Sequence, residues 1–269
     1  MNKKVVIITG ASSGIGYACA VEFAKRKANL GLGARSYDSL LGLKNMLENS
    51  YGIEVVAEKT DVEHEEDCRN LVQKTHEKFG KIDILINNAG VSMRSLFEEL
   101  DLLVMKKVMN VNFYGTVFCA KYALPHIMKE KGSIVAISSI SGYVGLPGRT
   151  AYTASKYAIH GFLESLRMEN QKTGLHVMIV APGFTSTNIR KNALTKNGLP
   201  QGETPRDEKE MMSAEEVAKK VAEAITKRKR TLVLTTKGKL VCFFYKFFPK
   251  IMDKMIYKYM AKEPNSPFK

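Results

Sequence analysis

The sequence predicts a doubly wound α/β fold, in which helices cover both faces of one parallel sheet. Short apolar runs typical of buried strands alternate with helical patterns over roughly 230 residues. The first strand leads directly into a glycine-rich turn, and small or polar motifs follow the other strands. Ligands of such sheets bind at the carboxyl ends of the strands. Because no repeat or linker interrupts the pattern, we expect one domain over residues 1–235 and an extension over residues 236–269.

The composition is typical of a soluble globular protein. Hydrophobic residues make up 45% of the 269-residue chain and charged residues 25%. The formal net charge of +14 is concentrated at one end, because residues 227–269 contain twelve Lys or Arg and only two acidic residues. Since the basic charge lies in a tail and no nucleic-acid-binding motif accompanies it, nucleic acid is not an expected partner.

The cysteines and the apolar runs favour a cytoplasmic location. The four cysteines form no Cys-x-x-Cys pair and have no histidine at metal-ligand spacing, which predicts reduced thiols and no metal site. We expect no signal peptide, and no apolar run approaches the ~20 residues of a membrane span. The cysteines are Cys19, Cys68, Cys119 and Cys242.

The first strand, Lys4–Thr9, and the turn after it predict a nucleotide-binding site. Glycines let the backbone of such a turn approach a pyrophosphate, and the first N–H groups of the following helix can bind it. A glycine-rich turn can also be a plain strand–helix joint, but the strand–turn–helix context favours a dinucleotide. The candidate residues are Gly10, Ser12, Ser13, Gly14, Ile15 and Gly16.

The end of the second strand favours NADP(H) over NAD(H). This strand covers Asn29–Gly33 and leads into Arg35 and Ser36. An acidic residue here would bind both ribose hydroxyls of NAD. The chain instead offers a guanidinium and a hydroxyl, which suit a 2′-phosphate. The alternative is a solvent-exposed arginine that precedes a helix predicted from about Asp38.

The next two strands also end in candidate nucleotide contacts. Asp61 and Val62 follow the strand Glu54–Lys59. The Asp61 carboxylate could accept a hydrogen bond from an adenine amino group, cap the helix predicted from Glu63, or do both. The fourth strand, Ile82–Ile86, leads into a sequence that predicts a tight turn against a flat ligand. This turn contains Asn87, Asn88, Ala89 and Gly90.

The candidate catalytic residues follow in the second half of the chain. Asn112 interrupts a long helical pattern, where its poor helix propensity requires a reason such as a bound water or a bend. Ser139 follows the strand Ser133–Ile137. Tyr152 and Lys156 are four residues apart and share a helix face. Most such pairs are ordinary surface neighbours, but an ammonium beside a phenol can lower the tyrosine pKa and create a proton donor and acceptor.

The last part of the fold contributes a strand end, a flap and a helix. The strand His176–Val180 leads into a Pro-Gly segment, and residues 188–212 are rich in turn residues, which predicts a mobile flap. A capping box at Ser213 predicts the start of the next helix, and Thr231–Leu234 is the last predicted strand. The candidate ligand contacts of the Pro-Gly segment are Pro182, Gly183, Thr185 and Thr187.

The extension combines lysines with large apolar residues. Four lysines recur every four residues, which predicts a basic stripe on a helix that Pro249 either starts or kinks. The segment suits packing on the domain as a lid, packing on another subunit, or contact with an anionic membrane surface. The lysines are Lys246, Lys250, Lys254 and Lys258, and the apolar residues are Phe244, Phe247, Phe248, Ile251, Met252, Met255, Ile256 and Tyr259.

Together these motifs resemble those of the short-chain dehydrogenase/reductase family, over Lys4 to Leu234. The glycine motif TGASSGIG, the NNAG turn, the serine thirteen residues before the tyrosine, the Tyr-x-x-x-Lys pair and the Pro-Gly segment stand in the family's order and spacing. The resemblance implies a Rossmann-type sheet and hydride transfer between a nicotinamide cofactor and a carbonyl or secondary alcohol, with no metal.

The resemblance also implies roles for the candidates. Tyr152 is the proton donor in carbonyl reduction, Ser139 orients the substrate oxygen, and Lys156 binds the nicotinamide ribose and lowers the tyrosine pKa. Asn112 holds a water that links Lys156 to solvent. The implied nucleotide contacts are Gly10, Ser12, Ile15 and Gly16 to pyrophosphate, Asp61 and Val62 to adenine, Asn88 and Gly90 to the adenosine ribose, and Thr185 and Thr187 to the carboxamide and phosphates. His160 and His176 are expected to be structural.

Two departures from the family shape the remaining expectations. Many NADP-preferring members carry Lys or Arg where Ser13 stands, so the preference depends on Arg35 and Ser36. The chain also extends beyond many members, and members with a basic apolar extension often act on lipids or steroids. We therefore expect an apolar substrate, such as a long-chain ketoacyl group, a 3-keto-sphingoid base or a ketosteroid. A small polar carbonyl or sugar is the alternative substrate, and an NADP-binding scaffold or redox sensor is the alternative of another class.

The family resemblance extends to assembly and location. It implies a homo-dimer or homo-tetramer built on the long helices that contain Asn112 and Tyr152. The protein is expected in the cytoplasm, with peripheral contact at the inner membrane surface through residues 238–260.

Overall fold

The computed structural model describes residues 1, 3–204 and 211–268. Within them, seven parallel strands form one sheet in the order β3-β2-β1-β4-β5-β6-β7, which confirms the predicted fold class. The strands are β1 (Val5–Thr9), β2 (Asn29–Ala34), β3 (Val55–Lys59), β4 (Ile84–Asn87), β5 (Ser133–Ile137), β6 (His176–Ala181) and β7 (Thr231–Val233).

The order of the strands brings the candidate motifs to one edge of the sheet. Val6 of β1 pairs with Leu30 of β2 on one side and with Ile84 of β4 on the other. β2 and β3 therefore extend the sheet to one side of β1, and β4 and the later strands extend it to the other side. In doubly wound sheets, ligands bind beyond the carboxyl ends of the strands at this switch point.

Helices cover both faces of the sheet. Side chains alternate along each strand, so Val6 and Ile8 pack under α1, α2 and α7, whereas Ile7 packs under α3, α5 and α6. The helices are α1 (Gly14–Lys25), α2 (Tyr37–Tyr51), α3 (Glu65–Phe79), α4 (Leu102–Met109), α5 (Gly115–Lys129), α6 (Thr150–Glu169), α7 (Ala214–Thr226), α8 (Thr236–Phe247) and α9 (Pro249–Ala261).

The predicted long helix contains a π-helical turn. α4 and α5 are joined by Asn110–Tyr114, which has π-helical geometry and contains Asn112. Such a turn arises where an extra residue is accommodated in a helix, and it is often found at functional sites. Asn112 therefore lies where the helical geometry changes, which accounts for an asparagine inside the predicted helix.

The capping box predicted at the start of α7 is present. The Ser213 hydroxyl accepts a hydrogen bond from the Glu216 N–H at 3.1 Å, and the Glu216 carboxylate accepts one from the Ser213 N–H at 3.2 Å. These two bonds satisfy N–H groups at the helix terminus.

The extension forms two helices, so the prediction of one continuous basic stripe is wrong. Pro249 occupies the first turn of α9, where its missing N–H costs nothing. Lys246 consequently lies on α8, whereas the other three lysines of the stripe lie on α9. Met252, Ile256 and Met260 of α9 are buried around Val144 of the domain. Part of the apolar surface therefore packs on the domain, as one of the alternatives predicted.

The described part of the predicted flap is joined to the domain. Leu194 pairs through its backbone with Met93 and with Pro200, and its side chain is buried with that of Met93. Residues 205–210 of this segment lie outside the described residues. Among the residues that the structure describes, no helix is both long and apolar enough to cross a membrane.

Candidate active site

The glycine-rich turn is held against the end of β4. Gly10 has a φ of +64°, and a Cβ atom on Gly16 would lie only 2.3 Å from the Gly10 carbonyl oxygen. Larger side chains would therefore open the turn. The Asn88 amide donates hydrogen bonds to the carbonyls of Thr9 (3.0 Å) and Gly10 (3.2 Å), and the Ala89 N–H donates to the Thr9 hydroxyl. The Asn88 NH₂ group thus fixes the turn, a role that differs from the predicted ribose contact.

A cleft lies beside this turn. It has a volume of about 350 Å³, and Gly14, Tyr17, Thr187 and Ser213 line it. Ser13 is the N-cap of α1 with extended backbone, and its side chain makes no capping bond. The first N–H groups of α1 are therefore available to a ligand. A glycine cradle at a helix start beside an open cleft fits the pyrophosphate of a dinucleotide.

Arg35 and Ser36 project from the end of β2. Both are exposed, and Ser36 occupies the N-cap position of α2 without capping it. No hydrogen bond or ion pair joins the Arg35 guanidinium to any residue that the structure describes. The structure thus shows the solvent-exposed arginine of the alternative interpretation, in a position where both groups remain able to bind a phosphate.

The two residues after β3 have different environments. The Asp61 carboxylate accepts a hydrogen bond from the Glu63 N–H at 3.2 Å, while α3 begins at Glu65. Asp61 therefore stabilises the turn before the helix and is not its N-cap. The Val62 side chain is buried, and Gly115 approaches it so closely that a Cβ atom there would lie 2.7 Å from Val62 Cβ. Only the backbone of Val62 can meet the predicted adenine.

Tyr152, Ser139 and Lys156 converge between β5 and α6. The Lys156 Nζ lies 5.6 Å from the centre of the Tyr152 ring and donates a hydrogen bond to the Ile137 carbonyl at 3.0 Å. The Ser139 hydroxyl lies close enough to Tyr152 to influence the tyrosine pKa. The Ser141 N–H donates to the Ser139 hydroxyl at 3.1 Å, which orients it. The family resemblance had grouped these three residues, and the structure brings them together.

The pKa of Tyr152 shifts in the direction opposite to the one predicted. Burial raises it, while the nearby Ser139 hydroxyl and the charge of Arg149 act in the opposite direction and offset part of the rise. The Lys156 ammonium lies over the ring and is bonded to a backbone carbonyl, so it is not directed at the phenol oxygen. The phenol is thus kept in its protonated, proton-donating form.

Burial lowers the pKa of Lys156 to about 8. A Cβ atom on Gly90 would lie 3.7 Å from the Lys156 Nζ and 3.2 Å from the Asn112 Oδ1. The turn after β4 therefore passes next to both candidate catalytic side chains. Because this approach leaves little room, Gly90 contributes to the site through its backbone.

Asn112 joins the catalytic helix to the turn after β4. Its amide nitrogen donates to the Val91 carbonyl (3.0 Å) and to the Ser155 hydroxyl (2.9 Å), and its oxygen accepts from the Val91 N–H (2.8 Å). The side chain is fully buried. The NH₂ group of Asn112 is thus used within the protein, and the predicted water contact would have to involve its oxygen or its backbone.

The segment after β6 closes the site from the other side. The Ile140 N–H donates to the Pro182 carbonyl at 3.3 Å, and a Cβ atom on Gly183 would lie 2.9 Å from Thr235 at the start of α8. Thr185 is buried and its hydroxyl bonds to the Gly183 carbonyl, whereas Thr187 faces Gly14 across the cleft. Of the two threonines, Thr187 is the one that lines the cleft beside the glycine-rich turn.

The two histidines near the site have partners within the protein. The His160 Nε2 lies 2.7 Å from the Ser138 hydroxyl, and burial lowers the His160 pKa to about 4. The His176 ring bonds to Ser133 (2.9 Å) and to the Lys229 carbonyl (2.9 Å). Both contacts agree with the structural roles that we expected.

Sequence patterns did not indicate a charged cluster beside the site. Glu263, beyond α9, lies 3.6 Å from Arg94 and 3.7 Å from Arg149, and all three side chains are at most 12% exposed. Arg94 also donates to the Pro264 carbonyl at 2.7 Å. Arg149 precedes α6 and influences the Tyr152 pKa. No local motif marks this cluster, because its members are far apart in the sequence.

The fold and the site define an oxidoreductase with a single α/β domain. A family model described as short chain dehydrogenase matches residues 4–198. The chain belongs to this short-chain dehydrogenase family, and it is therefore an oxidoreductase of that family.

Named relatives and a solved structure agree with this assignment. The chain is 39% identical over 206 residues to 11-beta-hydroxysteroid dehydrogenase A of Arachis hypogaea, covering 76% of this chain but 58% of that protein. It is 35% identical over 239 residues to dehydrogenase/reductase SDR family member 7B of Mus musculus, covering 87% and 74%. An alcohol dehydrogenase from Thermococcus sibiricus, complexed with 5-hydroxy-NADP, superposes with a TM-score of 0.77 at 27% identity, covering 87% and 96%.

Proposed function

We propose that this protein is an NADPH-dependent reductase of an apolar carbonyl compound. The observation that carries the proposal is the convergence of Ser139, Tyr152 and Lys156 at the strand ends, beside a glycine-rich cradle suited to a dinucleotide. A scaffold or redox sensor built on this fold would not need a serine, a tyrosine and a buried lysine brought together at the strand ends.

The chemistry requires a hydride donor and a proton donor at one carbonyl. A nicotinamide cofactor would supply the hydride for the carbonyl carbon when bound. Ser139 hydrogen-bonds to the carbonyl oxygen and orients it, and Tyr152 transfers its phenolic proton to that oxygen. Lys156, whose ammonium donates to the Ile137 carbonyl, would hold the ribose hydroxyls of the nicotinamide half. The phenol of Tyr152 is protonated near neutral pH, because burial raises its pKa from the ordinary value.

The preference for NADPH depends on the end of β2. Arg35 and Ser36 are exposed there, and Ser36 makes no capping bond that would engage its hydroxyl. A guanidinium and a hydroxyl can bind a 2′-phosphate, whereas an acidic side chain would repel it. Solved structures of similar fold contain either 5-hydroxy-NADP or NAD, so the proposed preference rests on Arg35 and Ser36.

Replacing Arg35 by Asp is expected to reverse the cofactor preference. The loss of a charge-assisted phosphate contact should raise the KM for NADPH about 10- to 100-fold, while the new carboxylate accepts bonds from the ribose of NADH. Steady-state kinetics with both cofactors measure the change. Lys25→Asp, the same charge change at the far end of α1, is the control and should leave both KM values unchanged. Equal use of both cofactors by the unmutated protein would contradict the proposal.

The rate of reduction is expected to fall as the pH rises through about 8. Lys156 has its pKa lowered to about 8, so its ammonium is present below that pH and is lost above it. Tyr152 remains protonated over the same range because its pKa is raised, and His160 remains neutral because its pKa is about 4. One required proton predicts a decline of kcat/KM of about tenfold per pH unit on the alkaline side. A profile that stays level to pH 10 would exclude this role for the ammonium.

The surroundings of Tyr152 favour an apolar substrate. Tyr152 packs against a buried apolar cluster that joins the loop after β4, helix α4 and the segment after β6. Leu146, in the loop after β5, lies in a second apolar cluster, and Phe184, after β6, lies at the surface. The cluster beside Tyr152 consists of Met93, Leu100, Val104, Val108, Ala151 and Leu194.

A panel of ketones with NADPH, followed by nicotinamide absorbance, tests the substrate class. Short and long 3-oxoacyl compounds form one matched series, and ketosteroids and keto-sugars form two further arms. We expect kcat/KM to rise about tenfold or more for each few methylenes added to the chain. Preference for keto-sugars or other small polar carbonyls would replace the apolar substrate with the polar alternative.

Self-association is a further part of the proposal. Five large apolar residues on α4, on the π-helical turn after it and on α6 are exposed by 43% or more. They are Leu102, Leu103, Tyr114, Tyr157 and Met168. These helices are the ones expected to form a dimer or tetramer, and light scattering of the purified chain measures its assembly.

We also propose that the protein lies in the cytoplasm.

A further inference from the structure

From the exposed faces of α8 and α9, we infer a docking surface for anionic lipid bilayers. Each helix has one face that packs on the domain and another that presents large apolar side chains to solvent. Two side chains from each helix pack around Val144 of the domain, namely Val241 and Tyr245 of α8 and Met252 and Ile256 of α9. These contacts fix both helices to the domain, so their outer faces form part of a preformed surface.

The outer face of α8 is apolar and aromatic. Leu240, Phe243, Phe244 and Phe247 follow the i, i+3, i+4, i+7 spacing of one helix face and are between 41% and 62% exposed. The Phe243 ring contacts the rings of Phe244 and Phe247. Four large apolar side chains together on one exposed helix face are uncommon in a monomeric soluble protein and indicate an interaction surface.

The outer face of α9 has the same character. Ile251, Met255 and Tyr259 form a row at intervals of four residues, next to the buried row of Met252 and Ile256, and each is at least 54% exposed. Phe248, between the two helices, is 52% exposed. The sequence had predicted these residues as one apolar surface, and the structure divides them into a buried row and an exposed row.

The charge around these faces identifies the occupant. α8 and α9 carry six lysines and one acidic residue, Asp253, and all six lysines are exposed. Lysines flanking an exposed aromatic face are suited to the interface of an anionic bilayer, where rings enter the headgroup region and ammonium groups bind phosphate. A symmetric dimer through this surface would place the lysines of one copy against those of the other, which disfavours a second copy. The lysines are Lys237, Lys239, Lys246, Lys250, Lys254 and Lys258.

The surface lies next to the substrate side of the site. A Cβ atom on Gly238 of α8 would lie 2.6 Å from Ile140, the residue after Ser139. Tyr143 and Leu146, in the loop between Ser139 and Tyr152, pack in the same cluster as α8 and α9. If the substrate is apolar, as the proposed function holds, docking would bring the site close to the membrane in which such a substrate dissolves. The docking surface itself does not depend on the identity of the substrate.

Vesicle sedimentation with the full chain tests the surface without using enzymatic activity. We expect binding to phosphatidylcholine vesicles containing about 30% phosphatidylserine, little binding to phosphatidylcholine alone, and weaker binding in about 0.5 M NaCl. A double variant, Phe243→Ser with Phe247→Ser, should reduce vesicle binding about tenfold or more. A triple variant should do the same, with the changes Lys250→Gln, Lys254→Gln and Lys258→Gln. Because all five residues are exposed, the variants should keep the thermal midpoint of the parent.

The controls separate this surface from a general effect of charge. Lys121→Gln, Lys219→Gln and Lys220→Gln together remove the same charge from exposed positions on α5 and α7 and should leave vesicle binding unchanged. Equal losses from both triple variants would reduce the effect to net charge and overturn the proposal. Absence of binding to anionic vesicles would also overturn it, as would a phenylalanine variant that dissociates an oligomer without affecting vesicle binding. If this chain binds vesicles but reduces no carbonyl compound, only the proposed function is refuted.

Discussion

Replacing Tyr152 by Phe is expected to lower kcat for carbonyl reduction by about 10²- to 10⁴-fold, because a positioned general acid contributes about that factor. Phenylalanine keeps the ring that packs against the apolar cluster containing Met93 and Leu194, and removes only the hydroxyl. The variant should therefore fold normally and bind NADPH with an affinity close to that of the parent. Stopped-flow absorbance of NADPH oxidation measures the rate, and nucleotide fluorescence measures binding.

A neighbouring tyrosine provides a matched control for this substitution. Tyr157 lies on the same helix and is 43% exposed. Tyr157→Phe removes the same hydroxyl group and should leave kcat within about twofold of the parent, the spread of a neutral surface substitution. Unchanged turnover by Tyr152→Phe would show that the phenol is not the proton donor. A fall in both NADPH binding and thermal midpoint would instead show that the hydroxyl is structural.

The fold was predictable because its signals are local. Buried strands appear as β-branched runs, and a turn that requires glycine is visible in the sequence wherever it occurs. The predicted strand Ser133–Ile137 agrees with the structure at both ends, and the serine, tyrosine and lysine of the site follow from motifs with fixed spacing. Since the carboxyl ends of parallel strands meet at one edge, the order of the motifs also predicted that they would come together.

Contacts made across long distances in the sequence were not predictable. The direction of the Asn88 amide, the burial of Val62 under α5 and the orientation of the Lys156 ammonium depend on how separate elements pack. Each of these changed the role expected of a residue without removing it from the site. The pKa of Tyr152 shows the same limit, because desolvation by the surrounding domain outweighs the opposing effects of Ser139 and Arg149.

The contact between the site and the end of the chain is the clearest example. Arg94 and Pro264 are 170 residues apart and are joined by a hydrogen bond of 2.7 Å. Gly148, just before Arg149, approaches Pro267 and Phe268 so closely that a Cβ atom would lie 3.3 Å from the proline ring. Residues 263–268 thus form a strap over the two loops on the substrate side of Tyr152.

Replacing Glu263 by Gln is expected to release this strap. The carboxylate balances two arginines whose side chains are at most 12% exposed, and removing it leaves their charges buried without this partner. At separations of 3.6 and 3.7 Å, the loss should amount to about 2 kcal/mol, less than that for a tightly bonded buried pair. Hydrogen exchange of residues 263–268 should increase about 30-fold, in proportion to the change in the local opening equilibrium.

Glu263→Gln should change the KM for the carbonyl substrate and not the KM for the cofactor. Arg94 and Arg149 border the loops beside Tyr152, so their displacement should raise the KM for the carbonyl about tenfold while the KM for NADPH stays constant. Glu263→Asp, which keeps the charge on a shorter side chain, should restore part of both effects. Glu130→Gln removes an exposed carboxylate far from the site and should change neither. If the exchange of residues 263–268 is unaltered in Glu263→Gln, the arginine contacts of Glu263 do not hold the strap. The hydrogen bond from Arg94 to the Pro264 carbonyl would then be its main attachment, because that bond needs no carboxylate.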